Sequence, residues 1–495
     1  MFKKVALLCA LLAVVAYPAS AEVQNIKVSG DITAAAIYRN NYDMEDQFWT
    51  NALGWQNVED QHSYLQSNTR LRIDADLTDN VATTIRLVNM REWDVPAATT
   101  NDINLDLASI TLKEMLYSPL TLIIGRQELM YGRGMIVGPA LYQDPDGSTF
   151  YDDFSPMHGF DAVRAILDYD PWTFDMFMAK IVESDNAVLT DSRDDLEIDL
   201  GGLNVGYQFA NYNAEAEGYI FYTRDETYGL TMYDQADNAT ATMFGTNTVY
   251  TGGLRGSTVY NENLALYGEI AGQWGEIEDN NGTTMENELT RDRQALMANV
   301  GGQYTLADIR FVPTLGLQYL YLSGEDVSSS GNPGDEEHRD TDDFEAWDPM
   351  YRSTRLSTIR DLLEGLFVTN DPADTSGATN QHTIQTNLAL DLGELVDGLR
   401  MNLSYAHFWF DEEPSYTNQD DEVGDELDLS VTYDYTEDVQ FALEAALFMA
   451  GDYYDEVHAS RVMQAGGMNA GGDAITNRVA NDNVVLIAGS CKVNF

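Results

Sequence analysis

Past its first two dozen residues the chain is a succession of alternating apolar and polar segments of about ten residues, the period of a half-exposed strand. In Gly202–Phe209, Leu203, Val205, Tyr207 and Phe209 share one face and Asn204, Gly206 and Gln208 the other. Leu264, Leu266, Ile270 and Trp274 oppose Tyr267, Glu269 and Gln273, and Leu427 to Tyr435 oppose Glu426 to Asp434 in the same way. The links alternate in size. Thr78-Asp79-Asn80, Tyr169-Asp170-Pro171, Ala210-Asn211-Tyr212 and Thr436-Glu437-Asp438 are tight turns. Arg39 to Leu65, Met130 to Gly159, Arg224 to Thr248, Gly324 to Asn380 and Ala450 to Asn483 are long. A soluble sandwich shares the alternation, but nothing in it keeps short and long links in phase along a whole chain. The pattern predicts an all-β fold, a transmembrane antiparallel β-barrel of about 18 strands with short periplasmic turns and long extracellular loops. Predicted strands start near Ile26, Gln66, Val81, Leu105, Pro119, Phe160, Trp172, Glu197, Asn213, Val249, Glu262, Leu296, Arg310, Gln381, Leu399, Asp425, Val439 and Val484.

The two ends fit export to an outer membrane. Lys3 and Lys4 precede an apolar run, Val5 to Val15, and then Ala19-Ser20-Ala21, the layout of a cleaved signal peptide. Residues 1–21 are therefore read as signal and 22–495 as barrel, which leaves Cys491 as the one cysteine of the mature chain. Val485, Ile487, Gly489, Cys491, Val493 and Phe495 alternate onto one face, so Cys491 reads as a small lipid-facing residue. A terminal aromatic on such a strand resembles the recognition signal of outer-membrane proteins. Net charge is −54, from 27 basic and 81 acidic residues, which excludes nucleic acid as a partner. With 44% hydrophobic and 11% aromatic residues the chain is nonetheless not of disordered composition. No segment after the signal offers the roughly 18 consecutive apolar residues of a membrane helix.

Catalytic signals are weak. His62, His158, His338, His382, His407 and His458 have no metal-ligand spacing, and neither a nucleophile elbow nor a phosphate-cradling loop is present. The chain reads as a non-enzyme without cofactor; a Ser/His pair meeting in space keeps an outer-membrane hydrolase as the remotest reading. Acids crowd the loops, with Asp43, Glu45 and Asp46 in the first and Asp335 to Asp348 in the longest. They read as solvated, or as sites for divalent cations at the outer surface. Asp144 to Ser148 has partial calcium-loop spacing without the distal glutamate.

The polar residues on strands carry more. Arg70 and Arg72 share a face with Asp74 and Asp76, opposite Leu71, Ile73, Ala75 and Leu77. Arg86, Arg126 and Arg164 are likewise taken to face the lumen, because charge is costly on the lipid face at mid-membrane. Glu215, Glu217, Glu269, Asp428, Asp434 and Glu444 are read as inward acids. These charges form either neutralised ladders that stiffen the wall, or an arginine track facing an acidic wall that selects permeants by charge. The stretch Leu120 to Gly138 leaves its strand through Gly125, Gly132, Gly134 and Gly138, so Met130–Gly159 is predicted to fold inward as a constriction.

Gly125-Arg126-Gln127-Glu128-Leu129 with Tyr131-Gly132 resembles the signature of the alginate-export family. Gly159 to Arg164, and Gly424 to Leu429 with Met449 to Tyr453, resemble the strand after the signature loop and the penultimate hairpin of that family. The resemblance implies an 18-stranded barrel and a pore for polysaccharide. It departs at Arg133 and Met135, where the family typically has an acid and an arginine. The expectation is a monomeric outer-membrane channel, selective by charge, for anionic or hydroxylated solutes or polysaccharide, with Arg70, Arg72, Arg86, Arg126 and Arg164 on the permeant and Glu215, Glu217, Glu269, Asp428 and Asp434 opposite. The alternative is an interaction barrel holding a periplasmic or surface partner in a plugged lumen.

Overall fold

The computed structural model describes residues 25–41, 61–93, 103–139 except 116, 159–183, 197–226, 246–280, 288–325, 343–360 except 355, 379–412, 420–453 and 483–495, with the backbone of four short loop strands. Residues 1–21, expected to be a signal peptide, the acids of the first loop, Asp144 to Ser148 and Asp335 to Asp342 lie outside the described residues.

Eighteen strands form the wall: β1 (Asn25–Asn40), β2 (His62–Thr78), β3 (Val81–Glu92), β4 (Asn104–Lys113), β5 (Leu120–Gln127), β6 (Phe160–Tyr169), β7 (Trp172–Glu183), β8 (Glu197–Phe209), β9 (Ala214–Asp225), β10 (Asn247–Tyr260), β11 (Leu264–Asn280), β12 (Glu288–Thr305), β13 (Thr314–Leu322), β14 (Gln381–Asp391), β15 (Leu399–Trp409), β16 (Glu422–Asp434), β17 (Val439–Ala450) and β18 (Val484–Asn494). Each pairs antiparallel with its chain neighbours, and β1 pairs with both β2 and β18, so the sheet closes without an edge. That closure satisfies every strand's backbone inside hydrocarbon. The seam runs from Asp31↔Asn494 to Asn40↔Val485, and Gly30 and Phe495 exchange amide hydrogen bonds at 2.9 and 3.0 Å.

The expected phase of links is present. Turns such as Asp79-Asn80, Asp170-Pro171 and Tyr435 to Asp438 occupy one rim, and the long links emerge at the other, extracellular rim. Two of those links carry hairpins of their own, Gln47–Thr50 with Gly54–Asn57 and Gly229–Tyr233 with Ala239–Phe244.

Alternation separates two faces. Outward, large apolar side chains stay exposed, among them Met178 at 77%, Leu254 at 66% and Leu317 at 59%, as lipid contact requires. Cys491, a free thiol, lies on this face with Ile487 and Phe495. Outward aromatics gather in two girdles. Trp172, Tyr207 and Phe209 are packed near the short turns, and Tyr222, Tyr250 and Trp274 form a row near the extracellular rim. Inward, three buried apolar clusters occupy the lumen. One joins Phe160, Phe177, Leu200, Phe221, Met297 and Leu320; another joins Ile37, Phe408, Phe448 and Leu486; a small third joins Ile277, Phe344 and Ala346. Each is completed by loop residues, and these build the site.

Candidate functional site: two loops meeting in the lumen

The link after β5 turns into the barrel. Leu129, Tyr131, Met135, Ile136 and Val137 are buried against inward residues of β6 to β9 and β11 to β13, an arc that only a segment inside the lumen can touch. Tyr131 to Gly134 is a tight turn, closed by the Gly134 amide on the Tyr131 carbonyl at 3.0 Å, with φ of +57° at Gly132 and +72° at Gly134. Tyr131 anchors the turn. Its ring stacks on Phe177, its hydroxyl donates to Asp175 at 3.2 Å, and Arg164 grips the same carboxylate at 2.5 Å. Burial, followed by the Asp175 charge, pushes the Tyr131 phenol well above its ordinary range, so it remains a donor. Met135, where the family typically has arginine, belongs to this core at 1% exposure.

A second inward segment, residues 343–360, spans the lumen. Its first part lies on β10 to β13. Arg293 donates to the Ala346 carbonyl at 2.8 Å, Arg291 donates to the Asp343 carbonyl, and Gln273 and Asp348 exchange two hydrogen bonds of 2.7 and 2.8 Å. Arg291 also pairs with Glu325, whose carboxyl burial holds above the usual carboxylate range against the pull of that arginine. The far part reaches the wall at β15 to β18, where Ile359 joins Phe408, Phe448 and Leu486. There Glu426 of β16, fully buried, accepts the amides of Thr358, Ile359 and Arg360 at 2.7, 2.6 and 2.8 Å. The segment is a crossbar pinned at both ends.

The two loops join inside the lumen, where Tyr351 packs on Phe160 at the extracellular end of β6. Val137 and Tyr351 form a parallel bridge, with Gly138 N to Tyr351 O at 2.9 Å and Tyr351 N to Ile136 O at 3.0 Å; Ser353 N reaches Gly134 O at 2.8 Å. Glycine is required at the joint, since a Cβ on Gly134 or Gly138 would lie 2.4 or 2.0 Å from Ser353 Oγ. Beyond the joint is a cavity of about 690 Å³ lined by Arg133, Glu215, Tyr267, Gln303, Gln318 and Asn387 among others. The Arg133 guanidinium lies over the Tyr267 ring at 3.8 Å.

The expected site residues distribute as follows. Arg70, Arg72, Arg86 and Arg164 lie on the inward face. Arg72 holds Asp74 at 2.8 Å, Arg86 holds Asp106 and Glu128, and Arg70 stands opposite Asp31. Glu215 borders the cavity. Glu217 is bound to Arg255, and Glu269 accepts from Tyr219 at 2.7 Å with Arg255 3.9 Å away. Asp434 pairs with Arg400 at 2.5 Å, and Asp428 accepts from Ser404 at 3.3 Å. Opposite charges are thus interleaved within each wall rather than divided between an arginine track and a bare acidic wall. Pairing is the lower-energy choice for partly buried charge.

Arg126 is a correction. It is in register with Asp161 and Ala108, on the face of Leu122 and Ile124, whereas Phe160, Ala162 and Arg164 face inward. Strand parity therefore directs Arg126 outward. It sits one residue from the extracellular end of β5, beyond the apolar band where charge is costly.

Arg255, Arg291, Arg293 and Arg133, the crossbar and the Glu426 clasp were not anticipated from sequence. The inward parity of Arg255 between Leu254 and Gly256 was readable; the crossbar has no period to read. Among the described residues no cluster of His, Cys, Asp or Glu has the geometry of a metal site.

Two solved outer-membrane proteins of Pseudomonas aeruginosa share the fold. OccK11 (OpdR) is 12% identical, covers 96% of both chains and gives a TM-score of 0.51. OccK2 (OpdF), solved with glucuronate, is 11% identical, covers 96% of this chain and 98% of its own, and gives 0.50. No curated protein matches the sequence. The family model for alginate export matches residues 38–467, from within β1 to beyond β17, and the chain belongs to the alginate-export family of outer-membrane channel barrels.

Proposed function

We propose that the barrel is a charge-selective diffusion channel whose constriction is the joint between residues 129–139 and 343–360, and that it passes anionic or hydroxyl-rich solutes. The observation that carries this reading is Arg133, held over Tyr267 at the mouth of a cavity of about 690 Å³ otherwise rich in side-chain amides. A guanidinium suits carboxylate, and amides suit hydroxyls. Arg70, Arg72, Arg86 and Arg164 extend the cationic contacts along the lumen, where Glu215 and Asp428 oppose them and Glu217, Glu269 and Asp434 restrain the field by pairing with Arg255 and Arg400. The deciding measurement is the reversal potential of the purified barrel in a planar bilayer under a salt gradient, followed by addition of glucuronate, the ligand in the OccK2 structure, and of oligouronates. Anion selectivity with block by uronates supports the reading; cation selectivity without block overturns it.

The apolar cluster around Leu129, Phe221 and Leu320 favours a second reading, a plugged barrel that holds a periplasmic or surface partner. A plugged barrel has negligible single-channel conductance, so the same bilayer distinguishes the two.

A further inference from the structure

The outward position of Arg126 exposes a feature of the outer wall. In strand register, Arg126 faces Asp161, Asp161 faces Lys180, Lys180 faces Asp199, and Asp199 faces Arg224. One row across five adjacent strands, β5 to β9, therefore alternates strictly in charge. All of it points away from the lumen, at the extracellular ends of the strands. The row two residues nearer mid-membrane is Ile124, Val163, Met178, Gly201, Tyr222, Tyr250 and Trp274, paired in the same order. Those apolar and girdle residues mark the boundary of hydrocarbon. The charged row lies about 7 Å above it, two residues along a strand, at the depth of lipid headgroups.

Cations are scarce in this chain, 27 against 81 acids, yet three stand in one row here. Near the same rim on β13 to β15 the outward groups are Tyr321, His382 and Trp409, with Asp411 beside them. The pairs in the charged row are open. Arg126 and Asp161 are 3.5 Å apart with side chains 33% and 62% exposed, and Lys180 and Asp199, at 2.6 Å, are 56% and 41% exposed. Exposed pairs of this kind contribute little to stability, so a stronger anion displaces the carboxylates readily. Successive cations are two strands apart, about 10 Å.

We propose that Arg126, Lys180 and Arg224 form a docking arc for the phosphates of a phosphorylated glycolipid of the outer leaflet, with the row below seating its acyl chains. Asp161 and Asp199, with Glu226 on Arg224 at 2.8 Å, keep the arc neutral until phosphate replaces them.

The test uses the full barrel extracted in mild detergent. Glycolipid phosphate retained per barrel is measured by native mass spectrometry for wild type, for the triple variant Arg126→Gln, Lys180→Gln, Arg224→Gln, and for Arg310→Gln, which removes an exposed cation at the periplasmic rim. The expected result is a several-fold loss of retained glycolipid in the triple variant alone. Retention equal to wild type, or an equal loss in Arg310→Gln, overturns the proposal. If the triple variant does not fold, thermal stabilisation of wild type by the glycolipid is compared with that by its dephosphorylated form; equal stabilisation overturns it.

Discussion

Glu426 accepts the backbone amide of Ile359 at 2.6 Å, and both residues are wholly buried. A wall strand thereby holds the far end of the crossbar by its main chain, through a carboxylate that also takes the amides of Thr358 and Arg360. Removing the carboxylate leaves three donors unmet, and the two buried ones, of Ile359 and Arg360, each cost about 1–3 kcal/mol. Glu426→Ala is expected to free the crossbar and to raise single-channel conductance and current noise. Unchanged conductance would mean that the crossbar does not limit flow.

Arg133 is the cation nearest the joint that borders the cavity. Arg133→Ala is expected to move the reversal potential toward cation selectivity and to weaken uronate block. The thermal midpoint should hardly change, because a partly exposed cation–π contact contributes about 0.5–1 kcal/mol.

Arg126 points away from the lumen by strand parity. Arg126→Ala is therefore expected to leave conductance and reversal potential at wild-type values, whereas Arg164→Ala, which strips Asp175 of its guanidinium and leaves it to Tyr131 alone, is expected to alter both. Equal effects from the two variants would return Arg126 to the pore.

Gly138 and Ser353 form a test of the joint itself. Gly138→Ala directs a Cβ to 2.0 Å from Ser353 Oγ and 2.8 Å from its Cβ. Overpacking of this kind costs about 1–3 kcal/mol. Ser353→Gly in the same chain is expected to recover most of the lost thermal stability, and a cycle of the four proteins reads the coupling. Additive effects would mean that the loops do not meet there.

Glu325 gives a pH dependence. Burial raises its carboxyl above the ordinary 4.5, so the folded protein favours the neutral form. Its stabilising contribution is full below 4.5 and is lost as pH climbs from there through the folded value. Acidification from pH 8 to 5 is accordingly expected to tighten this end of the crossbar. Glu325→Gln should fix the tightened state and flatten the change in conductance between those two pH values.

Much of the wall was legible from residue order. Strand starts at Val81, Phe160, Trp172, Glu197, Gln381, Leu399, Val439 and Val484 coincide with those observed. The discrepancies have local causes. β12 begins at Glu288 rather than Leu296, because its extracellular end carries charge on both faces, Arg291 and Arg293 inward and Asp292 outward. β13 begins at Thr314 rather than Arg310, because Phe311 and Val312 turn with φ of +66° and +43°. Parity also held the answer for Arg126, since Leu122, Ile124 and Arg126 are two apart; next to the end of its strand the mid-membrane cost of lipid-facing charge does not reach it. The crossbar was not legible. Trp347, Leu356 and Ile359 follow an acidic run without a period, and in sequence Glu426 resembles any other inward acid.

The closure of the wall has a kinetic consequence. The seam joins β1 to β18, with sixteen strands of chain between them. Contacts so distant in sequence carry the largest loop-closure entropy and form slowly. Until they form, two strand edges expose unpaired amides and carbonyls that hydrocarbon does not tolerate. Insertion and closure are therefore one event, timed by the arrival of the last strand.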